Sequence, residues 1–429
     1  MKICVFGTWH LGCVTAACLA DAGYATLGLD PDASVIAKLK RGEAPLFEPG
    51  LNALIAEGIA GSRLSFSSDP AVVADCDLIW VSFDTPVDDD DIADVEFVAQ
   101  AVHSLFPHIR DNAVVLISSQ LPVGSTRALA RAFASEQPGK ACHFAYSPEN
   151  LRLGKAIEIF TKAERIIVGS DHPRAREVLQ PVLANFTETV LWMSIESAEM
   201  VKHAVNAFLA TSVTFANEIA TICERVGADA GDIEKALRLE PRIGQRAYIK
   251  PGASFAGGTL ARDVMFLRGI AAKEGVKVPL IASILDSNDA HQQWAVRRLI
   301  ERLGALNGKT VAVLGLTYKP GTDTLRRSSS VEICRELARL GARVGAFDPA
   351  VRSLPREFSE FIELASDLPS VLSGADAAIV ATEWPEFKSL SPADLIGAMR
   401  NPLICDPNRF LAAAFDSAPQ ISYITVGRP

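Results

Sequence analysis

Apolar residues fall into two rhythms along this chain, and the rhythm changes twice. In the first third, residues 2–6, 25–29, 78–82, 113–118 and 143–146 are short, nearly continuous apolar runs, as in strands covered on both faces. Between them apolar positions recur at helical spacing, for example over 11–22 and 95–106. Strand and helix in alternation predict a parallel sheet with helices on both faces. Residues 165–169 and 189–191 read as further strands that complete the sheet.

The middle third differs. From 196 to 227 almost no breaker occurs and the period is helical, which predicts about eight turns of one helix. Two more helices are predicted over 260–274 and 278–303. Before them, 240–258 holds Pro251 and glycines at 244, 252, 257 and 258; a loop so rich in special residues between helices is a candidate site. The last third returns to alternation, with parallel strands predicted at 309–314, 343–347, 377–381 and 403–405. The layout is α/β, then all-α, then α/β.

Composition acts mainly by exclusion. The chain has 429 residues, 49% hydrophobic and 22% charged, with net charge −9. That is globular composition, not a disordered one. An acidic balance argues against a nucleic-acid binder, since phosphate backbones call for a basic face. The apolar runs are too short to span a bilayer, and Met1 to Gly7 reads as a strand rather than a signal peptide, so no membrane partner is expected. Eight cysteines are scattered without a C-x-x-C pair, which predicts a reduced, cytoplasmic, metal-free protein.

The first predicted strand runs into Gly7-Thr8-Trp9-His10-Leu11-Gly12, which opens a helix. This is the frame of a dinucleotide fingerprint: the first glycine turns the chain, the last lets helix and strand pack closely, and the helix N-terminus offers N–H groups to a pyrophosphate. Asp30, at the end of the second strand, suits the ribose hydroxyls of NAD and would repel the 2′-phosphate of NADP; it also suits a plain turn or helix cap. Trp9 stands where a middle glycine would let backbone approach the pyrophosphate. Its indole either crowds that approach or folds away.

Further motifs follow in order: Glu48-Pro49-Gly50-Leu51; Thr85-Pro86; Pro122-Val123-Gly124; Ser147-Pro148-Glu149-Asn150-Leu151-Arg152; Glu199 to Asn206; Asn217-Glu218; Arg242-Ile243-Gly244; Phe255 to Asp263; and Gly315-Leu316-Thr317-Tyr318-Lys319-Pro320. Together, and over essentially the whole chain, they resemble the nucleotide-sugar dehydrogenases, the UDP-glucose/GDP-mannose dehydrogenase family. The resemblance implies two Rossmann-like doubly wound domains joined by a long central helix and a small helical domain, with dimerisation in that central region. The divisions expected are 1–195 for NAD, 196–305 for the helical part and 306–429 for the nucleotide sugar. It implies oxidation of the C6 alcohol of a UDP- or GDP-linked sugar to a carboxylate, reducing two NAD⁺.

The resemblance also assigns residues. Lys202 and Asn206 lie four apart on one helix face, where an ammonium and an amide stabilise an alkoxide; the bland reading is a solvated Lys202 paired with Glu199. His203 reads as a packed helix residue. Glu149 manages the water that cleaves an acyl intermediate, and Gln120 stands where the family has a threonine partner for that water. Gly7, Trp9, Leu11, Gly12, Asp30, Thr85, Pro86, Gln120 and Arg326 are expected at the cofactor. Arg242, Tyr248, Gly252, Gly257 and Lys319 are expected at the nucleotide sugar, Arg242 by reaching across the dimer.

One departure bears on the reaction. The family carries a nucleophilic cysteine four residues before an aspartate. Here Asp263 is kept, but Thr259 occupies the nucleophile position, and no cysteine occurs between Cys223 and Cys334. A threonine hydroxyl is a far weaker nucleophile than a thiolate. The expectations left open are a two-electron oxidation stopping at the carbonyl or oxidation of a hydrated aldehyde without covalent catalysis, a different redox reaction on a related ligand, and a silent nucleotide-sugar binder.

Overall fold

The computed structural model describes residues 1–86, 93–149, 151–256 and 258–429. The chain forms two compact units, Met1–Ala204 and Val205–Pro429.

In the first unit, β1 (Lys2–Phe6), β2 (Ala25–Leu29), β3 (Leu64–Ser67), β4 (Leu78–Val81), β5 (Ala113–Ile117), β6 (Cys142–Tyr146), β7 (Ile166–Gly169) and β8 (Val190–Met193) form one sheet. Its order is β3-β2-β1-β4-β5-β6-β7-β8. The strands are apolar on both faces because each face is covered: Ile3 and Val5 join one core, Cys4 and Phe6 the other. All pairings are parallel except β6 with β7, so β7 and β8 extend the sheet in the reverse direction. β3 was not legible in the sequence: Leu64 and Phe66 are buried while Ser65 is exposed, a four-residue pattern too short to register.

The second unit holds β9 (Thr310–Leu314), β10 (Arg343–Phe347), β11 (Glu363–Leu364), β12 (Ala377–Val380), β13 (Leu403–Cys405) and β14 (Ser422–Ile424). The order is β11-β10-β9-β12-β13-β14, all parallel. The two sheets repeat the same devices. Gly7 N–H donates to Leu29 O at 2.9 Å, and Gly315 N–H to Phe347 O at 2.8 Å. Asp77 accepts from Lys2 N–H and Asp376 from Thr310 N–H, both at 2.8 Å, and Arg110 and Arg400 pair with those carboxylates. Each sheet thus reverses its strand order beside β1 or β9, the switch point where doubly wound folds bind ligands.

The long helix is a single element, Ile195–Val226, 32 residues. The helix predicted over 278–303 is broken at Gln293 into Pro279–Gln292 and Trp294–Leu303. The break lets Trp294 bury its ring while its indole N–H donates to Glu224 Oε1 at 2.8 Å. Among the described residues no helix is long and apolar enough to cross a membrane.

Candidate active site

The turn after β1 is built for close approach. Gly7 has φ +92°, and a Cβ on Gly12 would lie 1.8 Å from the Gly7 carbonyl oxygen. Asp30 Oδ2 accepts from Thr8 N–H at 2.7 Å and from the Thr8 hydroxyl at 3.3 Å, while Oδ1 accepts from Asp32 N–H at 3.0 Å. The carboxylate therefore braces the turn, and Oδ1, which takes one hydrogen bond, keeps a lone pair. The helix His10–Asp21 has no side-chain cap and no acidic residue in its first turn, so its leading N–H groups are left for an anion. Trp9 takes an extended backbone at the cap position, which needs no glycine, and its side chain is 47% exposed. Leu11 is half-buried on the same helix. These features fit a dinucleotide. Beyond the turn, the Thr85 hydroxyl donates to Gln120 O at 2.7 Å, so two predicted cofactor residues meet, with Pro86 exposed beside them.

Lys202 Nζ donates to the Glu149 carbonyl at 2.5 Å. Glu149 is half-buried, and its carboxylate accepts from Leu151 N–H. Burial pushes its pKa above the ordinary carboxylate value, with Lys202 and His10 opposing the rise and Asp84 adding to it. Glu199 does not pair with Lys202. It is fully buried and accepts from Gly124 N–H at 2.6 Å and Thr126 N–H at 2.9 Å, capping the helix Ser125–Glu136. His203 is fully buried, the packed residue expected.

Sequence reasoning missed a keystone. Buried Glu48 accepts from His10 Nε2 at 3.0 Å, Gly154 N–H at 2.7 Å and Ala156 N–H at 2.8 Å. It ties the dinucleotide turn to the segment after Glu149 and caps the helix Ala156–Thr161, which has no side-chain cap of its own. Its only signal was the Glu-Pro-Gly-Leu motif, which carries no partner.

In the second unit, Asp263 is fully buried and accepts from the Asn206 side-chain amide. Thr259, four residues earlier, is exposed at the first position of the helix Thr259–Lys273. The loop before it is clamped by amides. Asn217 Oδ1 takes Gly252 N–H at 2.9 Å, Asn408 Oδ1 takes Ala253 N–H at 2.7 Å, and Asn288 bonds both backbone groups of Phe255 at 2.9 Å. His291 Nε2 donates to Gly252 O at 2.8 Å. Gly252 is thus held by packing: both its backbone groups are engaged, and a Cβ there would meet Asn408 Oδ1 at 2.2 Å. Isolated polar residues in helical patterns, such as Asn288 and His291, were the only sequence trace of this clamp. Arg242, Tyr248, Lys319 and Arg326 are exposed, Arg242 bonding Glu240 at 2.7 Å. Gly257 and Asn150 lie outside the described residues. Unlike the first turn, the Gly315 turn leads into a loop, and the helix Ser329–Arg339 that follows is capped by Ser328.

A doubly wound sheet with an uncapped helix behind a braced glycine turn defines a Rossmann-like dinucleotide-binding protein. The chain matches the UDP-glucose/GDP-mannose dehydrogenase family in three parts: its NAD binding domain over residues 1–187, its central domain over 196–290 and its UDP binding domain over 312–413. It is 33% identical over 431 residues to the UDP-glucose 6-dehydrogenase TuaD of Bacillus subtilis (strain 168), covering 100% of this chain and 93% of that protein. It is equally 33% identical over 438 residues to the UDP-glucose 6-dehydrogenase of Rhizobium meliloti (strain 1021), covering all of both. The solved UDP-glucose dehydrogenase of Pyrobaculum islandicum superposes with TM-score 0.85 at 30% identity, over 100% of this chain and 98% of that one. The chain belongs to the UDP-glucose/GDP-mannose dehydrogenase family.

Proposed function

We propose that this dehydrogenase oxidises the C6 hydroxyl of a UDP- or GDP-linked sugar. The observation that carries the reading is Lys202, tied to Glu149 and one turn before Asn206 on the same helix. Bound NAD⁺ supplies the hydride acceptor. The Lys202 ammonium and the Asn206 amide stabilise the alkoxide as the hydroxyl proton leaves, and buried Asp263 fixes the Asn206 amide. Residues 1–195 hold the cofactor through the Gly7–Gly12 turn and Asp30. Residues 306–429 hold the nucleotide, with Lys319 at its phosphates, and Arg242 and Tyr248 from 196–305 reach the nucleotide sugar. The chain works as a homodimer. The exposed Thr259 favours a second reading, in which oxidation stops at the carbonyl.

The test is to incubate the purified protein with NAD⁺ and a panel of UDP-, GDP- and dTDP-sugars and count NADH per sugar. Two NADH per sugar is expected for the carboxylate. One supports arrest at the carbonyl, and none with any sugar overturns the dehydrogenase reading.

A further inference from the structure

His10 serves two places at once. It is the first residue of the helix His10–Asp21, so its backbone N–H is one of the leading donors left for a pyrophosphate. Its ring reaches elsewhere, with Nε2 at 3.0 Å from Glu48 Oε2. Both side chains are buried. The other bonds of Glu48 go to one segment: Oε2 also accepts from Gly154 N–H at 2.7 Å, and Oε1 from Ala156 N–H at 2.8 Å. Burial works against this carboxylate, but the bonds from Gly154, His10 and Ala156 outweigh it and hold its pKa below the ordinary value. Taking one partner away from a buried, ionised acceptor is strongly destabilising, so its three partners are tied to one another. The pair also joins two helices that wall one cavity of about 520 Å³. Thr15 lines it from the helix His10–Asp21, and Ile159 and Phe160 from the helix Ala156–Thr161. Glu149, Leu151 and Arg152, from the segment before the second helix, line it too. Glu48 holds the first residue of each helix.

We propose that the His10–Glu48 pair is a positioning device that carries occupancy of the dinucleotide turn to residues 151–161, so that bound NAD⁺ orders the cavity wall bearing Arg152. The inference rests on the cofactor site proposed above. When a pyrophosphate takes the His10 N–H, the first turn of that helix is fixed, and the ring on the same residue is fixed with it. Glu48 then holds Gly154 N–H and Ala156 N–H at set positions. The helix Ala156–Thr161, whose own N-cap residue Lys155 supplies no side-chain cap, gains a stationary acceptor at its first N–H. With the turn empty the same bonds persist, but their anchor at His10 is looser. Neither side chain acts on substrate; both act through the segment they hold. Such coupling is reciprocal, so a ligand that firms residues 151–161 raises the affinity for NAD⁺ by the same factor.

The experiment is hydrogen–deuterium exchange of the full chain, read by mass spectrometry, with and without NAD⁺ at a saturation checked by calorimetry. Peptides over 7–14 report the turn, and peptides over 151–161 report the segment. In the wild type NAD⁺ is expected to slow exchange in both, in the segment by about fivefold or more. His10→Phe keeps the backbone N–H and a flat ring but has no donor for Glu48. It should keep the slowing at 7–14 and lose it at 151–161. His10→Gln restores an N–H donor and should recover part of the response. Glu48→Gln, whose amide sets an NH₂ group among donors, should behave as His10→Phe does. A merely structural pair would loosen 151–161 equally with and without NAD⁺ and leave the NAD⁺-dependent difference intact. That result, or a wild-type segment indifferent to NAD⁺, overturns the proposal. Loss of the slowing at both places in every variant makes the pair a part of the turn's own fold and overturns it as well. No slowing at 7–14 and no binding heat in the wild type overturns the cofactor site itself.

Discussion

At the scale of single residues, the strongest expectations concern charge. Lys202→Met removes the cation proposed to stabilise the alkoxide and should leave the spine helix intact. Loss of one such preorganised donor lowers kcat by about 10²–10³-fold, with the NAD Kd unchanged; a decrease under tenfold would move the alkoxide site elsewhere. His291 bears on stability. Burial is the main cause that lowers its pKa, from 6.5 to about 4, with Arg297 adding and the Gly252 carbonyl opposing. A depressed pKa means the unfolded chain binds the proton first. The stabilisation is full above pH 6.5, falls as pH drops through 6.5 to 4, and is gone below 4. The shift corresponds to about 3 kcal/mol. Urea unfolding at pH 7, 5.5 and 4 should show His291→Gln losing less stability across this window than wild type. Equal losses in both would mean that His291 is not the group responsible.

Among the secondary elements, much of the architecture was legible in the sequence. The β1, β4 and β5 runs are apolar on both faces because helices cover both, and that continuity survives in sequence. What did not survive are contacts between segments far apart in the chain. Glu48 caps a helix more than a hundred residues away, and Asn408 clamps Ala253 from 155 residues on. No local period encodes such pairings. The reversal of β7 was hidden for the same reason: direction in a sheet depends on the connection, not on the strand's composition. The loop clamp makes its own prediction. Gly252→Ala forces a Cβ against Asn408 Oδ1 and should cost about 1–3 kcal/mol by overpacking. Asn408→Ala alone frees Ala253 N–H and also destabilises. Since the two residues touch, the double variant should cost less than the sum, as thermal or urea unfolding of the set would measure. Strict additivity would mean that the glycine is there for another reason.

For the whole molecule, the spine helix carries an exposed apolar stripe that bears on the proposed assembly. Phe208, Phe215 and Ile222 recur every seven residues and are 72%, 48% and 57% exposed. Seven residues are about 20° short of two turns, so these side chains stack into one stripe, and Val226 continues it at 70% exposure. A monomer seldom leaves so continuous an apolar stripe in water. A second copy related by a twofold axis would cover it with the same surface, as in the homodimer proposed above. Light scattering on the wild-type protein should give twice 45.9 kDa, and Phe208→Asp with Phe215→Asp should give the single-chain mass. Arg242 adds a functional consequence. Its side chain is 88% exposed and, among the described residues, bonded to Glu240 two residues away, which leaves it accessible to a neighbouring copy's sugar in the proposed dimer. The monomeric variant should then bind NAD with unchanged Kd while its KM for the nucleotide sugar rises, and Arg242→Ala in the dimer should reproduce that rise. A wild-type protein of single-chain mass at micromolar concentration, or a monomer with an unaltered KM, would place the whole site within one chain.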